Sequence, residues 1–306
     1  MALALPAIQQ PNAARAHALY TAGVLAMSQG DHAEATKTLT ECLAIRRTLG
    51  NSREIAGTLS TLSTQYLLQN EPDKAGACEE EALDIFRKLG DREGEGIGLL
   101  NLGGIAVRQN DLVGAARLFE QACAIAQSLK HQELESECEH NLGDLALRSG
   151  DLETAANRFA SSLKICREAE DKRGEAIAIW FSGRVDAAGG RSESACRKFA
   201  EALPAFQAYG MNSEALDCLD DCAALLHAAG RFDDAVRLQA AAAALREPLG
   251  LRSPESVAKQ KREVDAARGS LGAERFEAAW SVGKTWTLEQ SIRHALESTS
   301  GSSINA

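Results

Sequence analysis

The chain is short of aromatic residues, of proline and of positive charge. Aromatics make up 5% of its 306 residues, and six residues are proline. A β-sandwich would want more aromatic and β-branched side chains than this. Lysine and arginine number 33 against 43 aspartates and glutamates, a formal charge of −10. That balance argues against nucleic-acid or anionic-membrane binding through a general basic field, which needs clustered positive charge. No run approaches the ~20 apolar residues that cross a bilayer. The opening stretch from Met1 to Gln10 is broken by Pro6 and lacks a basic flank, so it does not read as a secretory signal. Eight cysteines are too sparse for a disulfide framework and form no CxxC pair. A reducing cytoplasm is the expected location. Catalytic signatures are missing as well: there is no G-x-S-x-G elbow and no HExxH, and His140 and Asp144, one helical turn apart, have no nucleophile beside them. The expectation is no enzyme activity, no cofactor and no metal.

What the chain has is alanine, leucine and a period. Turn signals fall at Gly30-Asp31, Asn70-Glu71, Asn110-Asp111, Gly150-Asp151, Gly190-Arg191 and Gly230-Arg231, each 40 residues after the last. A second set falls halfway between, at Gly50, Gly90, Lys130, Glu170, Gly210 and Gly250. Five residues past each first turn stands an alanine (Ala35, Ala75, Ala115, Ala155, Ala195, Ala235). Seven before it stands a small residue (Gly23, Ser63, Gly103, Gly143, Gly183, Ala223). A fixed period of this length is the signature of a solenoid. Within the fourth unit Cys138, Leu142, Leu145 and Ala146 share one helix face, and Ala155, Ala156, Phe159, Leu163 and Cys166 share another. Each unit therefore reads as two antiparallel helices with buried stripes. The aligned small residues let the two axes approach closely.

These residues resemble the tetratricopeptide repeat family, whose pattern puts Leu-Gly in the first helix and Ala and Phe in the second. The third unit reads Leu102-Gly103, Ala106, Ala115, Phe119, Ala122, and the fourth Leu142-Gly143, Ala146, Ala155, Phe159, Ser162. The usual tryptophan and closing proline are missing, and the 40-residue spacing is long for the family; in this it is similar to MalT-like and kinesin-light-chain-like repeats. The resemblance implies an all-α fold: a right-handed α-solenoid of six antiparallel helix-hairpin repeats with a C-terminal helical cap. We expect an N-terminal extension over 1–13 and repeats over 14–50, 51–90, 91–130, 131–170, 171–210 and 211–250. A cap over 251–297 and a polar tail over 298–306 follow. In the cap, Phe276-Glu277-Ala278-Ala279-Trp280, Gly283 and Thr287-Leu288-Glu289 resemble the closing segment of bacterial STAND-type ATPase regulators, in which a repeat region acts as sensor. The opening stretch likewise resembles an internal passage of such proteins, so the chain resembles their isolated C-terminal sensor region.

Three motifs invite other chemistry. Ala278 to Thr285 satisfies the relaxed phosphate-loop pattern A-x-x-x-x-G-K-T, but an amphipathic helix precedes it where the loop needs a strand. Gly94, Gly96 and Gly98 lack a preceding strand, and glycines in a helix cost about 1 kcal/mol each relative to alanine, so the third unit is expected to be the softest. Cys218 and Cys222, one turn apart, and Cys138 at the same repeat position as Cys218, read as small buried thiols in alanine's place.

The resemblance also implies a groove lined by the first helix of each hairpin. Its positions bring in Leu100, Asn101, Gly104 and Arg108, then His140, Asn141, Asp144 and Arg148, then Trp180, Phe181 and Arg184. In the long-repeat relatives, asparagines at the Asn101 and Asn141 position hydrogen-bond an extended peptide, and an amide, both donor and acceptor, suits a peptide bond. Arg108, Arg148 and Arg184 would add a basic strip and Trp180 an apolar anchor. The alternative is a merely solvated face. The lysine of chaperone-tail clamps is replaced by Tyr20, Ser60, Leu100, His140, Trp180 and Asp220, which disfavours that ligand. The function expected is a protein- or peptide-binding module of a bacterial signalling or transcriptional regulator, its partner a protein, an extended peptide or the regulator's own upstream domains. A small-molecule sensor of the MalT-like kind is the alternative, and NTPase or hydrolase activity a remote one.

Overall fold

The computed structural model describes residues 12–247 and 264–299, and among these every regular element is a helix. Six hairpins come first. They are α1 (Ala13–Ser28) with α2 (His32–Leu49), α3 (Ser52–Leu68) with α4 (Pro72–Leu89), and α5 (Arg92–Arg108) with α6 (Leu112–Leu129). Then come α7 (Gln132–Ser149) with α8 (Leu152–Glu168), α9 (Lys172–Ala188) with α10 (Ser192–Ala208), and α11 (Asn212–Ala228) with α12 (Phe232–Arg246). A helical stretch over 264–271, here α13, leads to α14 (Ala273–Gly283) and α15 (Leu288–Thr299). The expected extension before residue 12, the break at Gly250, the start of the cap helix at Pro254 and residues 300–306 lie outside the described residues. The chain divides into two compact units, one ending at Leu145 and the other beginning at Ala146.

The turns account for the period. Gly30, Gly50, Asn70, Gly90, Asn110, Lys130, Gly150, Glu170, Gly190, Gly210 and Gly230 all have positive φ, between 56° and 82°. One left-handed residue thus follows each of the first eleven helices and reverses the chain, the conformation that glycine and asparagine adopt most readily. Lys130 and Glu170 hold it without that advantage. Where the next residue is aspartate, it caps the following helix. Asp31, Asp91, Asp111, Asp151 and Asp171 each accept a backbone N–H from the first turn of the helix they open.

Packing within each hairpin rests on the small residue in the first helix. A Cβ on Gly23 would lie 2.6 Å from Leu39 Cγ, on Gly103 2.3 Å from Phe119 Cε1, and on Gly183 2.6 Å from Phe199 Cε1. The bulky partner always stands sixteen residues on. The aligned alanines, Ala35, Ala75, Ala115, Ala155, Ala195 and Ala235, are all fully buried. The glycines of α5 serve the same end: Gly94 lies against the Phe86 ring, Gly96 against Leu134 and Ile125, and Gly98 against Leu83 and Glu79. The helix expected to be soft is closely enclosed on these sides.

Where the small position carries a Cβ, at Ser63 and Ala223, the residue sixteen on is polar: Glu79 and Gln239, both buried. Glu79 is completely enclosed. Its Oε1 accepts from Ser60 Oγ (3.0 Å) and Asn101 Nδ2 (3.1 Å), while Oε2 has no hydrogen-bond partner among the described residues. Burial pushes its carboxyl above the ordinary carboxylate range, against the opposing hydrogen bonds from Asn101, Ser60 and Ser63.

In the second unit the cap closes the stack. α14 packs on α12, and Gly283 abuts the Arg237 carbonyl, where a Cβ would lie 2.1 Å from the oxygen. That carbonyl sits where the relaxed phosphate-loop pattern would need room for an anion. Thr287 and Gln290 form the expected reciprocal capping box: Thr287 N–H donates to Gln290 Oε1 (2.9 Å) and Gln290 N–H to Thr287 Oγ1 (3.2 Å). The last helix runs past its expected end near Leu296. Ser298 and Thr299 are buried, and Arg231 donates to the Ser298 carbonyl (2.5 Å).

Two outcomes follow from this packing. Gly103→Ala is expected to lose about 1–3 kcal/mol, since the buried Phe119 ring cannot yield. Gly104→Ala, whose Cβ would meet nothing within 4 Å, should instead gain up to about 1 kcal/mol of helix preference; paired thermal melts read the opposite signs. For Glu79, the folded carboxyl holds its proton more tightly than the unfolded one. The stability this contributes is complete below the unfolded pKa of about 4.3 and is lost as pH rises through the raised folded value. Glu79→Gln is expected to escape that loss, so its advantage in urea midpoint should grow between pH 4 and pH 8.

Candidate functional site on the first-helix faces

The first helices of the hairpins, α1, α3, α5, α7, α9 and α11, carry the expected binding positions. In the unit ending at Leu145 these positions are largely taken up by links between neighbouring hairpins, in a fixed register. Tyr20 Oη and Thr61 Oγ1 share a hydrogen bond of 3.0 Å, forty-one residues apart. Ser60 and Asn101, again forty-one apart, meet on the same oxygen of Glu79. The Asn101 amide is thus held by a buried carboxyl rather than standing free in the groove. The guanidinium of the buried Arg46 lies 4.7 Å from the Tyr20 ring centroid and donates to Thr58 Oγ1 (2.6 Å), which fixes the first of these links from below.

The next step differs. Leu100 offers no polar atom, and Asn141, forty-one residues on, turns its Nδ2 to the Glu137 carbonyl of its own helix (2.8 Å). Its Oδ1 has no partner among the described residues. Arg108, at the end of α5, is exposed and makes no ion pair among the described residues. His140 and Asp144 are half-buried on the same helix as Asn141. Glu139, at the neighbouring position, is buried and accepts from Cys123 Sγ (3.5 Å).

In the unit beginning at Ala146, Arg148 is exposed near the end of α7. Trp180 corrects an expectation. It is not a surface anchor: it is 6% exposed, packed edge-on against Phe181 (4.7 Å) and Phe206 (5.7 Å). Its Nε1 donates to Asp221 Oδ2 (2.8 Å), the same forty-one-residue register as Tyr20 to Thr61. The reason is local. The indole is large enough to reach α11, and once there its N–H needs an acceptor. Arg184 stacks over Phe181 (4.7 Å) and Trp180 (5.7 Å), and its Nε lies 3.6 Å from Asp221 Oδ2. Its charge is therefore spent within the fold, and the basic strip is not continuous through it. Nearby, Arg246 bridges Asp217 and Asp220 at 2.7 Å each. Glu79 was not among the expected site positions, and Asp221 was not expected as the partner of Trp180. The forty-one-residue spacing from Trp180 is the signal that could have found Asp221; Glu79 stands 19 residues from Ser60 and 22 from Asn101, and no repeat spacing marks it.

Seven of the eight thiols are interior, and Cys78 is half-buried. Cys138, Cys218 and Cys222 are fully buried; burial pushes the Cys138 thiol up to about 12 and that of Cys196 to about 11. Such thiols are inert as nucleophiles at neutral pH. Among the described residues no group of three or more metal-ligating side chains converges, and no helix is long and apolar enough to cross a membrane.

Comparison with known proteins agrees with this architecture. No curated protein matches the sequence. Among solved structures, BtubC of P. vanneervenii superposes with a TM-score of 0.56 at 21% identity, over 63% of this chain and 80% of that one. A STAND protein from Pyrococcus horikoshii with a tetratricopeptide repeat sensor superposes at 0.59 and 15% identity, over 86% of this chain and 37% of that one. At these identities the likeness is one of fold. The sequence model of the tetratricopeptide repeat matches residues 14–88, 54–128 and 95–168. With half of its length matched and the expected hairpins in place, the chain belongs to the tetratricopeptide repeat family.

Proposed function

We propose that the chain is a non-catalytic peptide- and protein-binding module, the sensor or scaffold part of a bacterial cytoplasmic signalling or transcriptional regulator. Family membership supports the interaction role, and the likeness in fold to a STAND protein with a repeat sensor is compatible with the regulatory one. The upstream domains of such a regulator would be partners of the same kind.

The observation that carries the binding role is the open step between Leu100 and Asn141. At Tyr20–Thr61 and Ser60–Asn101 the polar groups satisfy one another. At Asn141 the amide keeps an unused acceptor, and at Arg108 a cation stands exposed on the neighbouring first helix. An amide of this kind accepts from a peptide N–H, and an exposed guanidinium pairs with a carboxylate on the same peptide.

A phage-displayed library of extended ten-residue peptides provides the probe. Selected peptides are expected to be acidic, and Asn141→Ala or Arg108→Glu should each weaken them by roughly tenfold, about 1.4 kcal/mol, with little change in melting temperature. Affinities indifferent to both substitutions would sink this assignment.

A further inference from the structure

The second helices carry a different surface. Between α8 and α10, over a floor supplied by α9, lies a cavity of about 280 Å³. Its α8 wall carries Ala156, Ala160 and Leu163 and ends in Arg167, which pairs with Glu175 (2.8 Å); its floor includes Ile179 and Val185, and Lys198 and Glu201 of α10 stand opposite. Ala156 and Ala160 are exposed.

The chain itself shows what fills such a groove. One hairpin further on, α15 packs against α10, α11 and α12. Its Ile292 and Ala295 are buried in one cluster with Leu203, Leu219 and Leu238. Those three residues are the forty-residue counterparts of Leu163, Ile179 and Lys198. The groove holding α15 is therefore the repeat equivalent of the open one. The end contact is repeated too: Arg231 donates to the Ser298 carbonyl in the last turn of α15, and its counterpart Arg191 stands half-exposed beside the open groove, held by Asp186 (2.8 Å).

We infer that the groove between α8 and α10 is a docking site for an amphipathic helix of a partner protein. Leu226, Leu238 and Ala241, apolar and fully buried, are the forty-residue counterparts of Asp186, Lys198 and Glu201 in the open groove. A permanent intramolecular helix wants the first set and an exchangeable partner the second. Lys198 donates to Asp186 Oδ2 (2.7 Å) and to the Ser182 carbonyl (3.2 Å), which leaves one ammonium N–H for the ligand. Glu201 has no partner among the described residues. The partner helix carries an apolar ridge at i, i+3/i+4, i+7 spacing, with a carboxylate facing Lys198 and a basic residue facing Glu201. The site uses neither Asn141 nor Arg108 and stands independently of peptide binding there.

The test uses the full chain and a phage-displayed library of 14-residue helices that keeps the apolar positions of Leu288, Ile292, Ala295 and Leu296 and randomises the rest. Expected are clones that bind the chain saturably and lose at least tenfold in affinity to Ala160→Arg. The exposed variant Ala156→Lys serves as a second probe, with melting curves confirming that each variant folds. Failure to enrich clones over a scrambled library would overturn the inference, as would clones that bind Ala160→Arg undiminished. A dimer in sedimentation velocity that Ala160→Arg dissociates would also overturn it, since a second copy would then be the occupant.

Discussion

A glycine with nothing at Cβ, facing a ring sixteen residues further along, is the contact on which the rest of the structure depends. At Gly103 the Phe119 ring occupies the space a methyl would need, and Gly183 and Phe199 repeat the arrangement. This sets how closely the helices of a hairpin approach. The left-handed residue every twenty positions then sets how often the chain reverses. A small residue, a bulky partner and a left-handed turn suffice to generate each hairpin, and their repetition generates the stack. Where the small residue gains a Cβ the ring is absent and a polar side chain takes its place, as at Ser63 and Glu79. The rule governs its own exceptions.

Close approach brings first helices of neighbouring hairpins within reach of one another's side chains, and the chain uses this. Tyr20 with Thr61, Ser60 with Asn101 through Glu79, and Trp180 with Asp221 all sit in a forty-one-residue register. Positions that a family pattern would assign to ligands are here partly structural. A buried donor or acceptor left unmade costs more than a made one gains, so these links hold neighbouring hairpins in register even where each is weak. The same economy governs charge. Arg46, Arg184 and Arg246 are held by aromatic faces, hydroxyls or carboxylates of adjacent helices. The cationic groups left for partners are fewer than the sequence positions suggest.

The helices and their turns were legible in the sequence because period, turn chemistry and small-residue spacing are local and repeat. Gly50, Lys130 and Glu170 mark breaks that are all left-handed, although only the first is glycine. The first-helix positions were legible as positions, but not in their state. Trp180 could be placed on the right helix, while its burial depends on Phe206 and Asp221, 26 and 41 residues away. Asn101 reads like Asn141 in a repeat alignment. They differ because one has Glu79 within reach and the other follows an apolar Leu100, a difference set by neighbours outside the motif. The seat of α15 was equally hidden, since a cap pattern says that a last apolar face must be covered and not which groove receives the cover.

The residue after the turn shows how the end of the stack is built. In the first four hairpins it is Asp31, Glu71, Asp111 and Asp151, an acid at the start of the second helix, where the partial positive charge of the helix favours it. In the fifth and sixth it is Arg191 and Arg231, and neither α10 nor α12 has a side-chain cap. The exchange gives up a favourable end contact, usually about 1 kcal/mol. At Arg231 something replaces it: the guanidinium pairs with Asp234 and reaches the Ser298 carbonyl, one of the groups that the end of a helix leaves unbonded. The position that caps its own helix at Asp31, Asp111 and Asp151, though not at Glu71, here holds the last helix in place. Arg191 makes the same sacrifice with no helix among the described residues to hold, and its charge rests on Asp186 at the edge of the open groove. An arginine placed for a helix end, beside a groove shaped like the one α15 fills, is the arrangement of a cap site left open to another chain.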